Sequence, residues 1–256
     1  ALFQTFFGME NMEEKYMFFT VLLHFGTLIS VCMVYWRDIV DMIREFFLGI
    51  AALAGRKDTG VAPPPARRMV MLIIIATVPL FVMVFLQDAV NQLFSNSIMV
   101  SCALLATGFI LFFSDRMARG HKTAKNATVA DALIVGCGQA LAVIPGLSRS
   151  GTTISVGMMR GFDRAFAVRF SFLMSLPAVL GANVLEIKDA LASNFPIEEL
   201  PMYLVGVAVS AVVGYFAIRL VKSLSDKGKF GKFAYYCWAV GLGSLVAGIV
   251  KMMLLK

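Results

Sequence analysis

An arginine stands among hydroxyl and glycine residues at positions 145–153, where the sequence reads Pro-Gly-Leu-Ser-Arg-Ser-Gly-Thr-Thr. The guanidinium of Arg149 offers a rigid fork of N–H donors that matches the oxygens of a phosphate group. The neighbouring hydroxyls add donors, and the glycines let the main chain approach a ligand closely. These neighbours are Gly146, Ser148, Ser150, Gly151 and Thr153. The pattern predicts a phosphate site in which the arginine and the three hydroxyl residues are catalytic and the two glycines bind substrate.

Arg149 is expected to stabilise the negative charge that builds on the leaving phosphate in a transition state. The hydroxyl residues could instead cap a helix that starts near Thr152. Both roles are compatible, because the amino-terminal end of a helix is itself a site for anions. A serine nucleophile requires a general base, and none is evident near Ser148. The attacking atom is therefore not identified by these residues.

Gln139 lies about one and a half helical turns before this loop. Its side-chain amide could bind substrate, a divalent cation or water, and a structural hydrogen bond would explain the residue equally well. A divalent cation, Mg²⁺ or Ca²⁺, stays open as a cofactor, although its ligands are not identifiable in this chain. The four cysteines lie in apolar segments without metal-ligand spacing, and we interpret them as packing residues.

The apolar residues around the loop indicate an integral membrane protein. Hydrophobic residues make up 59% of the 256 positions and charged residues only 15%, whereas soluble domains carry about 25% charged residues. Apolar segments of about 20 residues recur, and each could cross about 30 Å of hydrocarbon. The predicted spans are 17–36, 69–87, 97–114, 165–186, 202–222 and 233–255. We predict one all-α polytopic membrane domain over residues 1–256.

The basic residues predict which side of the membrane each loop faces. They cluster in loops beside apolar spans, so the formal net charge of +7 reflects membrane topology rather than nucleic-acid binding. The loops 37–68, 115–130 and 223–232 are basic and therefore predicted to be cytoplasmic. Residues 131–164 then begin and end on the cytoplasmic side, and Pro145 with Gly146 interrupts them. We predict a re-entrant hairpin whose tip, at 148–153, lies in a pocket that opens outward.

Two smaller patterns predict packing and anchoring. Small residues recur every fourth position at Gly206, Ser210 and Gly214, which permits close approach of another helix. Asp131, Arg160 and Arg164 bracket the predicted hairpin, and Arg169 begins the next span. We expect these four charged residues to anchor the chain at the inner surface rather than to contact substrate.

The unbroken motif at 145–153 resembles the hallmark Pro-Gly-x-Ser-Arg-Ser-x-x-Thr of bacterial undecaprenyl-diphosphate phosphatases of the bacitracin-resistance type. The flanking segments 136–144 and 170–177 resemble the same family, and the similarity covers essentially the whole chain. The resemblance implies hydrolysis of undecaprenyl diphosphate to undecaprenyl phosphate and inorganic phosphate, which recycles the carrier lipid for peptidoglycan synthesis. It also implies a multi-pass protein of the bacterial plasma membrane with an outward-facing site. The oligomeric state stays open.

The family also carries an amino-terminal Glu-x-x-x-Glu pair followed by Pro-x-Ser-Ser-Thr-Gly-His, and this chain is expected to begin after that segment. Glu10 and Glu14 match the spacing of the pair, but no Ser-Ser-Thr-Gly-His follows them. We interpret them, with Glu13, as an exposed acidic loop. The resemblance further implies an inverted repeat whose first hairpin is missing here.

A transporter or flippase for an anionic, phosphorylated lipid is the alternative function. Re-entrant half-helices and inverted repeats occur in transporters too, and both functions need Arg149. The two functions differ in turnover, because a transporter requires alternating access and leaves the phosphoanhydride bond intact.

Overall fold

The computed structural model describes residues 17–53, 63–86, 97–192 and 200–254, and the acidic residues at 10–14 lie outside these ranges. The regular elements in the described ranges are helices, together with one isolated bridge between Lys122 and Phe162. The helices are α1 (Met17–Val34), α2 (Trp36–Leu53), α3 (Pro65–Phe85), α4 (Ser97–Met117), α5 (Val129–Leu141), α6 (Arg149–Met159), α7 (Arg164–Ala192), α8 (Leu200–Asp226) and α9 (Phe233–Leu254). The prediction of an all-α protein is confirmed for this part of the chain.

Among the described residues, five helices are long and apolar enough to cross a membrane. These stretches are Pro65–Met83, Ile98–Met117, Arg164–Gly181, Pro201–Asp226 and Phe230–Met253. They confirm five of the six predicted spans, and the chain is a polytopic membrane protein. In the remaining predicted span, at 17–36, α1 contributes the shorter apolar stretch Leu22–Val34. At 13 residues, α5 is only about 20 Å long, which is too short to cross the hydrocarbon core.

Contacts divide the chain into two compact units. The described residues of the first unit are 75–86, 97–171 and 224–254, and those of the second are 17–53, 63–74, 172–192 and 200–223. The first unit contains the whole predicted hairpin. The single domain over 1–256 stays a prediction.

In the first unit, α4 and α9 pack through aromatic and hydroxyl groups. The ring centroid of Trp238 lies 5.2 Å from that of Phe109 and 5.3 Å from that of Phe112. Further along the two helices, the hydroxyls of Ser101 and Ser244 are 2.8 Å apart. This pairing makes α4 a support for the elements that carry the phosphate motif.

The predicted hairpin consists of α5, the loop 142–148 and α6, and its base is closed by main-chain bonds. Lys122 N–H donates to the carbonyl of Gly161 at 2.9 Å, and Asp163 N–H donates to the carbonyl of Lys122 at 2.9 Å. Next to them, the buried ring of Phe162 contacts Phe166 at a centroid distance of 4.8 Å. The loop before α5 and the turn after α6 are therefore joined into one rigid base.

In the second unit, the small-residue stripe of α8 packs against α1. The hydroxyl of Ser210 donates to the carbonyl of Leu23 at 2.7 Å. On α1, a Cβ placed on Gly26 would lie only 2.6 Å from the carbonyl oxygen of Val207. The interpretation of the stripe as a packing face within this chain is confirmed, because side chains larger than serine would force the two helices apart.

We predict that Gly26→Ala lowers the melting temperature of the purified protein in detergent by roughly 5 °C. The added methyl meets main chain that cannot rotate away, and such overpacking costs about 1–3 kcal/mol. The control is Gly181→Ala in α7, where an added Cβ meets nothing within 4 Å. Thermal unfolding of both variants checks this, and equal melting temperatures would contradict the close packing of α1 on α8.

Candidate functional site

The phosphate motif lies where α5 has ended and α6 has not yet begun. Gly146 in this loop adopts φ +94°, a left-handed conformation that side chains disfavour. A Cβ on Gly146 would also lie 2.3 Å from the carbonyl oxygen of Val100 in α4. Glycine is therefore required here twice, for the turn and for the approach to α4. The contact with substrate predicted for Gly146 stays a prediction.

Ser148 is the N-cap of α6. Its hydroxyl accepts a hydrogen bond from Gly151 N–H at 3.2 Å, and its carbonyl accepts one from Thr152 N–H at 2.8 Å. A Cβ on Gly151 would lie 2.9 Å from the Ser148 hydroxyl, so glycine at 151 leaves room for the cap. The expectation of a cap is confirmed, but the helix begins at Arg149, not near Thr152. The prediction of the helix start was wrong because several hydroxyl residues here can all act as caps.

The start of α6 presents a set of unused donors. Arg149 is exposed, and within the described ranges neither its guanidinium nor its main-chain N–H makes a hydrogen bond or ion pair. The same holds for the N–H and hydroxyl of Ser150 and for the hydroxyl hydrogen of Ser148. All these donors converge on the amino-terminal end of a helix, which carries positive partial charge. Such an arrangement can bind an anion.

Thr153 lies deeper in the first unit. Its side chain is 2% exposed, and its hydroxyl lies 2.6 Å from that of Ser171 in α7 and donates to the carbonyl of Arg149 at 2.9 Å. The structure therefore places this hydroxyl between α6 and α7 rather than among the exposed donors. A catalytic role for Thr153 stays a prediction, and its contacts give it a role in holding α6.

Gln139 is also buried, at 1% exposure, on α5. Within the described part of the chain, neither its amide nitrogen nor its amide oxygen has a hydrogen-bond partner, and the same is true of the Thr152 hydroxyl on α6. The side chain of Thr152 packs on α5 beside Gly138, the residue before Gln139. Buried polar atoms without partners are costly, so this part of the hairpin is suited to a polar ligand or water. Sequence reasoning identified Gln139 but missed Thr152.

Asp131 anchors the base of the hairpin. Its carboxylate is fully buried and accepts hydrogen bonds from Lys122 at 2.8 Å, from Thr128 N–H at 3.0 Å and from Arg160 at 2.9 Å. Burial alone would raise the pKa of Asp131, but the hydrogen bonds from Lys122, Thr128 and Arg160 outweigh it and hold the pKa well below its usual range. Asp131 and Arg160 therefore hold the base of the hairpin together, as expected, and its place at the inner surface stays a prediction.

A second carboxylate fixes the same end of the unit. Arg164 at the start of α7 forms a salt bridge with Asp115 of α4 and donates to its main-chain carbonyl at 2.8 Å. The other carboxylate oxygen of Asp115 accepts from Gly231 N–H at 2.9 Å, just before α9. Anchoring was predicted for Arg164, but its partner was missed because the two residues are 49 positions apart.

Comparison with known proteins shows the family of this chain. Residues 1–243 match the family model described as Bacitracin resistance protein BacA. The chain belongs to this family. It is 40% identical over 230 residues to the undecaprenyl-diphosphatase of Alkaliphilus metalliredigens, covering 90% of this chain and 83% of that protein. It is 37% identical over 251 residues to the undecaprenyl-diphosphatase of Halothermothrix orenii, with coverages of 97% and 89%. The undecaprenyl-diphosphatase of Methanosphaera stadtmanae is 36% identical over 236 residues, with coverages of 91% and 84%.

We predict that Asp131→Asn lowers the melting temperature at pH 7 by about 3–6 °C, because Lys122 and Arg160 lose their ionised partner. The folded-state pKa of Asp131 is depressed, so the contribution of its carboxylate is complete above the unfolded pKa of about 4. This contribution is lost as the pH falls through the folded-state value. Melting curves of the two proteins should be separated by a constant amount from about pH 8 to pH 5 and approach one another below about pH 4. A separation that does not change with pH would contradict this assignment.

Proposed function

We propose that this protein is an undecaprenyl-diphosphatase, which hydrolyses undecaprenyl diphosphate to undecaprenyl phosphate and inorganic phosphate. The observation that carries the proposal is the exposed Arg149 beside two unused main-chain N–H groups at the start of α6. A site made of donors binds an anion, and the family relatives that match most of this chain are named for a diphosphate substrate. Recycling of the carrier lipid for peptidoglycan synthesis follows from that product.

The chemistry asks the protein to stabilise charge. The oxygen atom of a water molecule forms a bond to the terminal phosphorus while the bridging P–O bond breaks, and undecaprenyl phosphate leaves with that electron pair. The protons of the water molecule leave with inorganic phosphate or pass to the solvent. The guanidinium of Arg149 and the N–H groups of Arg149 and Ser150 are suited to hold the phosphate oxygens as negative charge builds on them. The hydroxyls of Ser148 and Ser150 add two donors. We assign Ser148 as a donor, because its hydroxyl oxygen accepts a hydrogen bond from Gly151 N–H and its hydrogen is left for the substrate.

The surroundings of the site suit a substrate with an apolar tail. Leu141 at the end of α5 and Val143 in the loop 142–148 are 59% and 36% exposed. Polar donors and exposed apolar side chains therefore lie within a few residues of each other. A polyprenyl diphosphate has the same two-part chemistry, because its tail stays in lipid while its head requires hydrogen-bond donors.

We propose that a divalent cation, Mg²⁺ or Ca²⁺, accompanies the diphosphate as its counter-ion. Within the described ranges no group of three or more His, Cys, Asp or Glu side chains could hold a metal ion. Gln139 contributes at most one amide oxygen, which is too few ligands for a cation of either kind. These residues do not fit a protein-held metal centre, and the mechanism above uses none.

We propose a multi-pass location in the bacterial plasma membrane with the site facing outside. At the base of the hairpin, exposed lysine and arginine side chains come from the segments before α5 and before α9. They are Arg116, Arg119, Lys125, Lys227, Lys229 and Lys232. Arg149 lies at the other end of α6, which is about 16 Å long. Basic ends face the cytoplasm, so the donors of Arg149 point away from it.

Arg149→Ala should lower kcat/KM for a polyprenyl diphosphate at least about 100-fold, because it removes the charged donors from the transition state. Arg149→Lys keeps the charge but loses the fork, and intermediate activity is expected. The matched control is Arg116→Ala, whose guanidinium lies over the Phe112 ring at 4.0 Å at the base of the unit and should leave activity unchanged. Phosphate release by the purified full-length protein, with and without chelator, checks all three.

Undiminished release from Arg149→Ala would contradict the assigned site. Chelator sensitivity would support the cation, and full activity in chelator would remove it. No release from folded wild-type protein, together with movement of labelled phospholipid analogues across vesicles, would favour the alternative transporter or flippase.

The orientation is tested with cysteines at the two ends of the first unit, in a background whose four unpaired native cysteines are replaced. Lys125→Cys lies at the basic end, and Lys251→Cys lies near the far end of α9. A membrane-impermeant maleimide added to intact cells should label Lys251→Cys and should reach Lys125→Cys only after permeabilisation. The reverse labelling pattern would contradict the proposed orientation and indicate that the site faces the cytoplasm.

A further inference from the structure

A buried threonine of α4 contacts the loop that leads to Arg149. Thr107 is 0% exposed, and its hydroxyl oxygen accepts a hydrogen bond from Ser148 N–H at 3.2 Å. The same hydroxyl shares its single hydrogen between two carbonyl oxygens, that of Gly146 at 3.2 Å and that of Ala103 at 3.1 Å. One side chain therefore bonds to the main chain of the loop on both sides of residue 147.

Thr107 differs from the other partners of this loop. Leu147 N–H bonds to the carbonyl of Ile144, which belongs to the loop itself. In the described part of the chain, Thr107 is the one side chain from another helix that hydrogen-bonds to the main chain of residues 142–148. The geometry of the loop relative to α4 therefore depends on this hydroxyl and on the contact between Gly146 and Val100.

We propose that Thr107 is a positioning residue for the phosphate site, and this inference rests on the proposed function. Its hydroxyl oxygen accepts the hydrogen bond from Ser148 N–H and thereby holds Ser148 in the extended conformation of an N-cap. The next two N–H groups, of Arg149 and Ser150, are then left pointing out of the first turn of α6 for the substrate. Thr107 acts through the main chain and does not contact the diphosphate.

A second buried hydroxyl of α4 provides a control that separates positioning of the loop from stability alone. Ser114 of α4 donates a hydrogen bond to Ser155 of α6 at 2.8 Å, and both side chains are completely buried. This bond joins α4 directly to α6, about two helical turns away from the bonds between Thr107 and the loop. Loss of the Ser114 hydroxyl should cost stability in the same way as loss of the Thr107 hydroxyl, without disturbing the donors of Arg149 and Ser150.

The experiment compares Thr107→Val, Thr107→Ser and Ser114→Ala in the full-length protein. Thr107→Val keeps the shape but removes the hydroxyl, and we expect kcat to fall about 10- to 100-fold, since small misplacements of a binding group have effects of this size. KM should change less than threefold or so, because Arg149 still attracts the diphosphate. Thr107→Ser should restore kcat to within about threefold of wild type. Ser114→Ala should lower the melting temperature while kcat is retained.

A Thr107→Val protein that is folded and has wild-type kcat would overturn the proposal. So would a fall in kcat that Ser114→Ala reproduces at an equal loss of melting temperature. Wild-type protein without phosphatase activity would contradict the proposed function instead. In that case the rise in melting temperature caused by inorganic pyrophosphate is the second readout. A smaller rise in Thr107→Val than in Ser114→Ala supports positioning, and equal rises overturn it.

Discussion

An interruption between two short helices inside an apolar bundle must satisfy its own N–H and C=O groups, because lipid offers no hydrogen bonds to them. The loop 142–148 meets most of this constraint with main-chain bonds of its own, an N-cap at Ser148 and the hydroxyl of Thr107. Among residues 142–150, the main-chain N–H groups that have no partner within the described ranges belong to Gly146, Arg149 and Ser150. The site can therefore bind an anion through the N–H groups that the hydrogen bonding of the loop leaves unused.

The rest of the first unit holds α6 at successive levels along its length. Near its start α6 is tied to α4 through the loop. In its middle, Thr153 bonds to Ser171 of α7 and Ser155 bonds to Ser114 of α4. At the base, the buried carboxylate of Asp131 forms salt bridges with Lys122 and Arg160, and its depressed pKa keeps it ionised at neutral pH. The charged side chains lie at the base, where Lys122 and Arg160 are partly exposed, and uncharged hydroxyl pairs make the contacts farther along α6. This division agrees with the cost of burying unpaired charge in lipid.

Much of this architecture could be predicted from the sequence, because apolar spans and basic loops are local patterns. The phosphate motif could be predicted as well, since residues 145–153 contain donor types that few other functions would bring together. The contacts of Gly146 with Val100 and of Arg164 with Asp115 could not, because each joins segments at least 46 residues apart. Thr107 gave no signal either, since a single threonine in an apolar span is ordinary. The position of the helix start was ambiguous because Ser148, Ser150 and Thr152 are all suitable caps.

The central claim is that one phosphate group of the substrate binds at the amino-terminal end of α6. An experimental structure of the full-length protein with a non-hydrolysable prenyl methylenediphosphonate tests it most directly. We expect a phosphonate group with its oxygens about 2.7–3.1 Å from the main-chain nitrogens of Arg149 and Ser150 and from the guanidinium of Arg149. A diphosphonate bound elsewhere in the protein, with these nitrogens facing only solvent, would contradict the account.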